Sequence, residues 1–178
     1  SLEEDFNAED FDIVMFGGGQ DYEQTVVAKD LQNKKDTLIE YIEDDGVVVA
    51  ICGGFQLLGR YYVNASGERL NGISAIDVCT NGQFPNRLIG DVEIFNEEFG
   101  ETYLGYENHI GRTYLGKNMK PLGKVVKGYG NNEEDHAEGC HYKNVFCSYF
   151  HGPILVRNQH LADRIIQTAA QRRIEKNA

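Results

Sequence analysis

Gly46-Val47-Val48-Val49-Ala50-Ile51-Cys52-Gly53-Gly54-Phe55-Gln56-Leu57-Leu58-Gly59 is the stretch whose reading decides the fold. Val47 to Ile51 are apolar and mostly β-branched, the composition of a strand buried on both faces. From Gly53 the pattern changes. Phe55, Leu58 and Tyr62 recur at helical spacing, which predicts a helix running through Tyr62. Cys52 stands on the corner between strand and helix. So tight a corner pushes the side chain out of the sheet and needs small neighbours, here Gly53 and Gly54. It also aims the sulfur at a helix N-terminus, where free N–H groups and the helix dipole favour a thiolate. Cys52 is therefore the candidate nucleophile. A buried core cysteine, the common fate of a free thiol, would not call for this corner.

Working outward, residues 11–16 read as a strand stopped by Gly17-Gly18-Gly19, and residues 22–31 and 36–43 read as helices. Strand, glycine loop, helix, strand, glycine loop, helix predicts an α/β fold: an open, mostly parallel sheet flanked by helices. Ligands in such sheets bind at the carboxyl ends of the strands, where both glycine loops fall. Between Gly72 and Gly130 the pattern becomes short strands (91–95, 102–107, 123–126) split by Gly, Asn and Pro turns, an antiparallel β insertion. Residues 145–150 read as a last strand that ends at His151-Gly152-Pro153. His151 is thus the candidate base, held at a second strand end. Asn158 is expected to cap a closing helix in which Leu161, Ile165 and Ala169 share a face, with Arg172, Arg173 and Lys176 near its C-terminus.

At 178 residues the chain is expected to form one domain over 1–178. Lys and Arg number 17 against 28 Asp and Glu, a net charge of −11. That balance argues against a nucleic-acid surface. The acidic runs at 3–12 and 133–138 read as solvated segments. The longest apolar run, Val47 to Cys52, is too short to span a membrane, and no leader pattern opens the sequence. Four cysteines without a secretory pattern suit a reducing compartment, the cytoplasm. Cys140, His141, Cys147 and His151 can be drawn as a zinc cluster, but the spacing contains no Cys-x2-Cys unit, so no metal is expected. No cofactor is expected either. The sequence has no Gly-x4-Gly-Lys-Ser/Thr, so ATP chemistry would have to come from another polypeptide.

Four segments together make a resemblance. Cys52-Gly53-Gly54-Phe55-Gln56-Leu57 matches a Cys-x-Gly-x-Gln-Leu nucleophile motif, and Phe150-His151-Gly152-Pro153 a His-Gly-Pro ending. Gly17-Gly18-Gly19-Gln20-Asp21 and Gly105-Tyr106-Glu107-Asn108-His109-Ile110-Gly111-Arg112-Thr113 add to them, in order, over nearly the whole chain. The chain resembles class I, flavodoxin-like glutamine amidotransferases of the cobyric-acid-synthase-like branch. The resemblance implies L-glutamine as substrate, with Cys52 and His151 catalytic. It implies Gly18, Gly19 and Gly53 as oxyanion donors, Gln56 and Arg87 as substrate-binding groups, and His109 in the pocket wall. It further implies that ammonia passes to a MurT-like Mur-ligase subunit in a heterodimer, which amidates D-glutamate of lipid II in peptidoglycan synthesis. Another acceptor such as cobyrinate, a related Cys-His hydrolase acting on peptides, and a non-catalytic partner module are the alternatives. The chain departs from the family at three places. Pro153 stands where members carry a glutamate two residues after the histidine, and Ala50 where many have glycine. Only ten residues precede residue 11, where members have a further strand and helix, which are expected to be lacking here.

Overall fold

In the computed structural model the described residues are 6–19, 21–151 and 153–178, without the side chains of Glu9, Asp21 and Tyr22. Gln20 of the first glycine motif and Gly152 of the His-Gly-Pro ending lie outside them. The chain runs β1 (Ile13–Phe16), α1 (Asp21–Asn33), α2 (Lys35–Glu43), β2 (Val47–Ile51) and α3 (Gly53–Leu58). Six strands follow: β3 (Tyr61–Val63), β4 (Arg69–Asn71), β5 (Val78–Asn81), β6 (Leu88–Asn96), β7 (Glu101–His109) and β8 (Arg112–Leu115). Then come β9 (Gly123–Lys127), β10 (Ala137–Glu138), β11 (Cys140–Tyr142), β12 (Val145–Ser148), β13 (Phe150–His151), α4 (Ile154–Arg157) and α5 (Gln159–Asn177).

The apolar run of β2 has two faces to bury, and both are covered. Val48 and Ala50 join a core with Leu38, Tyr41, Ile42 and Phe55, while Val47 and Val49 face Ile94, Tyr103, Leu161 and Ile165. The period of two along a strand sends alternate residues to opposite cores, so a doubly covered strand carries no polar positions. β2 is central in a sheet ordered β1-β2-β12-β11, parallel to β1 and β12, with β11 antiparallel at the edge. The middle of the chain builds two further sheets. One is antiparallel, ordered β10-β9-β6-β7-β13, and the other is ordered β4-β3-β5-β8.

Several expectations are corrected. The helix after Cys52 stops at Leu58 instead of reaching Tyr62, which is buried in β3. Gly59 turns extended there, and a Cβ on it would stand 2.8 Å from the Val78 carbonyl oxygen, so the chain peels away to pair with β5. The last strand is two strands. The chain leaves the parallel sheet at Ser148, and Phe150 and His151 pair antiparallel with Glu107 and Tyr106 of β7. The acidic run at 133–138 ends in a fully buried residue, Glu138, which accepts the Tyr149 N–H at 2.7 Å and the Ser148 hydroxyl at 3.0 Å. Those bonds brace the crossing between the sheets.

Asn158 does not cap α5 with its side chain. Its amide bonds Leu104 N (2.8 Å), Leu104 O (2.9 Å) and Ile154 O (2.7 Å), tying the α4–α5 junction to β7. Leu161, Ile165 and Ala169 do share the buried face of α5. Arg172 and Lys176 pair with Asp44, and Arg173 with Asp12. Cys140 and Cys147 face each other across β11 and β12 as buried free thiols, and burial pushes both thiol pKa values up. Among the described residues, no helix is long and apolar enough to cross a membrane.

Candidate active site

Cys52 has φ at 52°, a backbone conformation that a side chain resists. The surroundings hold it there. Its N–H donates to Ser148 O at 2.9 Å, and the Gly54 N–H donates to Gly17 O at 3.1 Å, fastening the corner to β12 and to the first glycine loop. Gly54 cannot be larger, and a side chain at Gly53 would have to displace Gln24. A Cβ on Gly54 would meet the Phe16 carbonyl oxygen at 2.8 Å, and one on Gly53 would meet Gln24 Nε2 at 2.5 Å. The expected thiolate is not favoured, however. Burial pushes the Cys52 thiol up, outweighing the Gly53 backbone N–H and the Arg87 charge, which both pull it down. A helix of six residues has few aligned peptide dipoles with which to offset burial.

His151 approaches from the other sheet. A Cβ placed on Gly18 would lie 3.3 Å from Cys52 Cβ, 3.8 Å from Cys52 Sγ and 3.6 Å from His151 Cε1. Gly18 is thus the shared neighbour of sulfur and imidazole, and its missing side chain leaves open space between them. Burial, followed by the charges of His109 and Arg87, holds the His151 pKa below the usual histidine value, against an opposing hydrogen bond that the ring donates to the Asn108 backbone. Thiol and imidazole are therefore both pushed toward their neutral forms. His151 Nε2 is buried with no hydrogen-bond partner among the described residues.

Cys52, Gly19, Gln56, Arg87 and His109 line one cleft of about 560 Å³ together with Gln24. Gly18, Gly19 and Gly53 line an adjoining recess of about 250 Å³. Arg87 is anchored through Nε to Asn108 Oδ1 (2.8 Å) and through Nη2 to Asn108 O (3.1 Å). No carboxylate among the described residues pairs with it, so part of its donor fork faces the cleft mouth. Gln56 is buried, and both ends of its carboxamide are engaged. Oε1 accepts from Gln24 Nε2 at 2.6 Å, and Nε2 donates to Tyr149 OH at 3.1 Å. The chain of bonds continues from Tyr149 OH to Thr113 (2.5 Å) and on to Thr80 (2.7 Å). Gln56 therefore forms a fixed floor rather than a mobile hand. His109 is 2% exposed and stacks on Tyr149, with ring centroids 3.6 Å apart and an interplanar angle of 10°.

Sequence reasoning missed Gln24, Asn108, Tyr149 and Glu138. Asn108 lies inside the quoted 105–113 motif, Tyr149 inside the strand read at 145–150, and Glu138 at the end of the acidic run 133–138. Gln24 sits on an ordinary helix with no signal of its own. Of the residues that can be drawn as a zinc cluster, Cys140 and Cys147 lie in the core, whereas His151 neighbours Gly18. Among the described residues, no group of three metal-ligating side chains converges.

The fold is that of a class I glutamine amidotransferase. Residues 1–159 match the CobB/CobQ-like glutamine amidotransferase domain, and the chain belongs to that family. It is 58% identical over 173 residues to the lipid II isoglutaminyl synthase (glutamine-hydrolyzing) subunit GatD of Streptococcus pneumoniae, covering 97% of this chain and 66% of that one. To the subunit of the same name from Staphylococcus aureus it is 44% identical over 162 residues, covering 91% and 65%. The chain thus spans just under two thirds of the length of these relatives. A probable cobyric acid synthase of Methanothermobacter thermautotrophicus is 36% identical over 118 residues, covering 59% of this chain and 23% of that protein. Among solved structures, a glutamine amidotransferase superposes with a TM-score of 0.65 at 18% identity, covering 91% of this chain and 81% of that one. PurLQS from Thermotoga maritima gives 0.58 at 17% identity, covering 99% and 84%. At these identities the likeness concerns the fold alone.

Proposed function

We propose that the chain hydrolyses L-glutamine at Cys52 and passes the ammonia to a MurT-like, ATP-using ligase subunit that amidates D-glutamate of lipid II. The observation that carries this reading is the strained Cys52 corner, which shares Gly18 as a neighbour with His151 at the edge of a cleft holding an uncompensated arginine. Strain of order 1–3 kcal/mol is retained where a side chain must be presented, and a non-catalytic module would gain nothing from it. The 58% identity to GatD favours lipid II over cobyrinate as the acceptor's source, since the cobyric acid synthase match is weaker and shorter.

In this reading Arg87 binds the α-carboxylate of glutamine with the donors that Asn108 leaves free. His151 takes the thiol proton as Sγ attacks the side-chain carboxamide carbon. The oxyanion is received by the backbone N–H of Gly53 and by the Gly18–Gly19 loop. His151 then gives its proton to the leaving ammonia, and next activates water to cleave the glutamyl thioester, releasing glutamate. Gln56 holds the cleft floor beneath the substrate. With Pro153 in place of a carboxylate, His151 lacks a neighbouring orienting acid, and we assign that third role to the partner subunit. Coupling to an ATP-using ligase places the reaction in the cytoplasm.

The test is glutamate release from L-glutamine by the chain with and without a MurT-like subunit, beside Cys52→Ala. Release that rises with the partner and falls by roughly 10⁴-fold or more in Cys52→Ala is expected. A folded chain that releases no glutamate under either condition overturns the reading. Full turnover by the chain alone would sink the assignment of the third group to the partner.

A further inference from the structure

Glu107 and His109 are both buried in β7, two residues apart and on the same face of the strand. Each oxygen of Glu107 already accepts a backbone N–H: Oε1 from Tyr129 at 2.7 Å and Oε2 from Gly130 at 2.9 Å. Oε2 also lies 3.6 Å from His109 Nε2. The other ring nitrogen, Nδ1, is 2.7 Å from Gly111 O, and a carbonyl can only accept, so Nδ1 carries a proton. A neutral ring would then turn the lone pair of Nε2 toward a carboxylate. Two acceptors facing each other in a dry interior repel. Nε2 has no hydrogen-bond partner among the described residues, and a proton on it would turn that repulsion into attraction. Since both Glu107 oxygens are engaged as a carboxylate's would be, the place for that proton is the ring.

We propose that His109 is held as an imidazolium by Glu107 and Gly111, and that it is a positioning residue that sets the charge and placement of His151 rather than a group that binds substrate. This deepens the glutaminase reading and rests on it. The ring is too buried to reach far into the cleft, and its flat face is occupied by Tyr149. Tyr149 in turn is fixed by Gln56 and Thr113, lies one bond from the His151 strand, and has its N–H held by Glu138. The groups facing His151 are Cys52 from the α3 corner, Arg87 from the loop before β6, and Asn108 and His109 from β7. Those facing His109 are Glu107 and Tyr149, with Glu138 beyond Glu107. A fixed positive charge in this wall keeps the base neutral at working pH, ready for the thiol proton. It also favours the negative sulfur once that proton has left.

Ring ¹⁵N NMR of the wild-type chain tests the charge directly, whether or not glutamine is a substrate. Both nitrogens of His109 are expected to be protonated across neutral pH. A lone pair on Nε2 throughout overturns the proposal. Two variants test the consequence: His109→Phe, which keeps a ring on Tyr149, and His109→Asn, which keeps a donor for Gly111 O. Removing the positive charge relieves repulsion on the protonated form of His151. Its titration by NMR, and the acid limb of kcat/KM, should therefore move to higher pH in both variants. KM should stay within about twofold while kcat falls. An unmoved His151 titration, or a rise in KM alone, overturns the positioning role and returns His109 to the substrate pocket. If the glutaminase reading itself fails, glutamate release is lost in the wild type, while the NMR arm still reads the His109 charge.

Discussion

Cys52 and His151 reach the same glycine from two different sheets, and the two sides are built in different ways. At Cys52 the adjacent Gly53 and Gly54 give the space for a strained corner, and among the described residues only two backbone hydrogen bonds, to Ser148 O and Gly17 O, come from elsewhere in the chain. His151 is held by groups far from it in sequence. Glu138 braces Ser148 and Tyr149, β7 supplies the pairing edge, and Asn158 locks the following helices to Leu104 across 54 residues. A local backbone corner tolerates little change but can be specified by a short run of residues. A tertiary frame of buried polar groups depends on each of them staying paired and in one protonation state.

That dependence gives the largest effect. Burial holds the Glu138 carboxyl protonated, its pKa pushed up from 4.5 to about 8, with Glu107 adding to the shift and the bonds from Tyr149 and Ser148 opposing it. Below 4.5 the group is protonated in both folded and unfolded chains. Between 4.5 and about 8 the unfolded chain releases the proton while the folded chain keeps it. This contribution to stability is therefore full at low pH, falls as pH rises through that window, and levels off above it. Thermal unfolding across that range should show the decline, on the order of a few kcal/mol, and Glu138→Gln should flatten it. A slope unchanged in Glu138→Gln would mean that the brace on the His151 side is not set by protonation.

The asymmetry also governs how much could be read beforehand. The strand at Val47–Ile51, the Cys52 corner and the α/β character follow from apolar runs and glycine positions, which are local rules. The buried face of α5 was legible from the spacing of Leu161, Ile165 and Ala169. The break at Tyr149 was not, because residues 145–150 are uniformly strand-forming and only the distant Glu138 and β7 divide them. Glu138 itself reads as the end of a solvated acidic run, and nothing in its neighbours announces burial. The direction of the Cys52 shift was misjudged for the same reason: the helix corner is local, whereas the desolvation that outweighs it comes from the whole fold.

Arg87 touches both sides at once, since its charge draws down the pKa of Cys52 and of His151. In Arg87→Ala, KM for glutamine should rise by about 10–100-fold, the usual effect of removing a charged hydrogen-bonded partner, with a smaller change in kcat. Alkylation of Cys52 by iodoacetamide should slow at neutral pH, because loss of a positive charge moves the thiol further up. An unchanged KM with slower alkylation would separate the two roles and leave Arg87 as an electrostatic neighbour of the sulfur only.

The smallest effect isolates the corner itself. If φ at 52° is strained, replacing Cys52 by glycine removes the side chain that resists it, while replacing it by alanine keeps the resistance. Glycine also adds freedom to the unfolded chain, which acts against the gain. The balance should still leave Cys52→Gly more stable than Cys52→Ala by about 1 kcal/mol, or a few degrees in Tm for a chain of this size. Both variants lack sulfur, so the difference between them cannot come from lost thiol contacts. Equal melting temperatures would mean that Ser148 O, Gly17 O and the packing of α3 accommodate the corner without cost. The nucleophile would then be placed by the same kind of tertiary frame as His151, and the contrast between the two sides would fail.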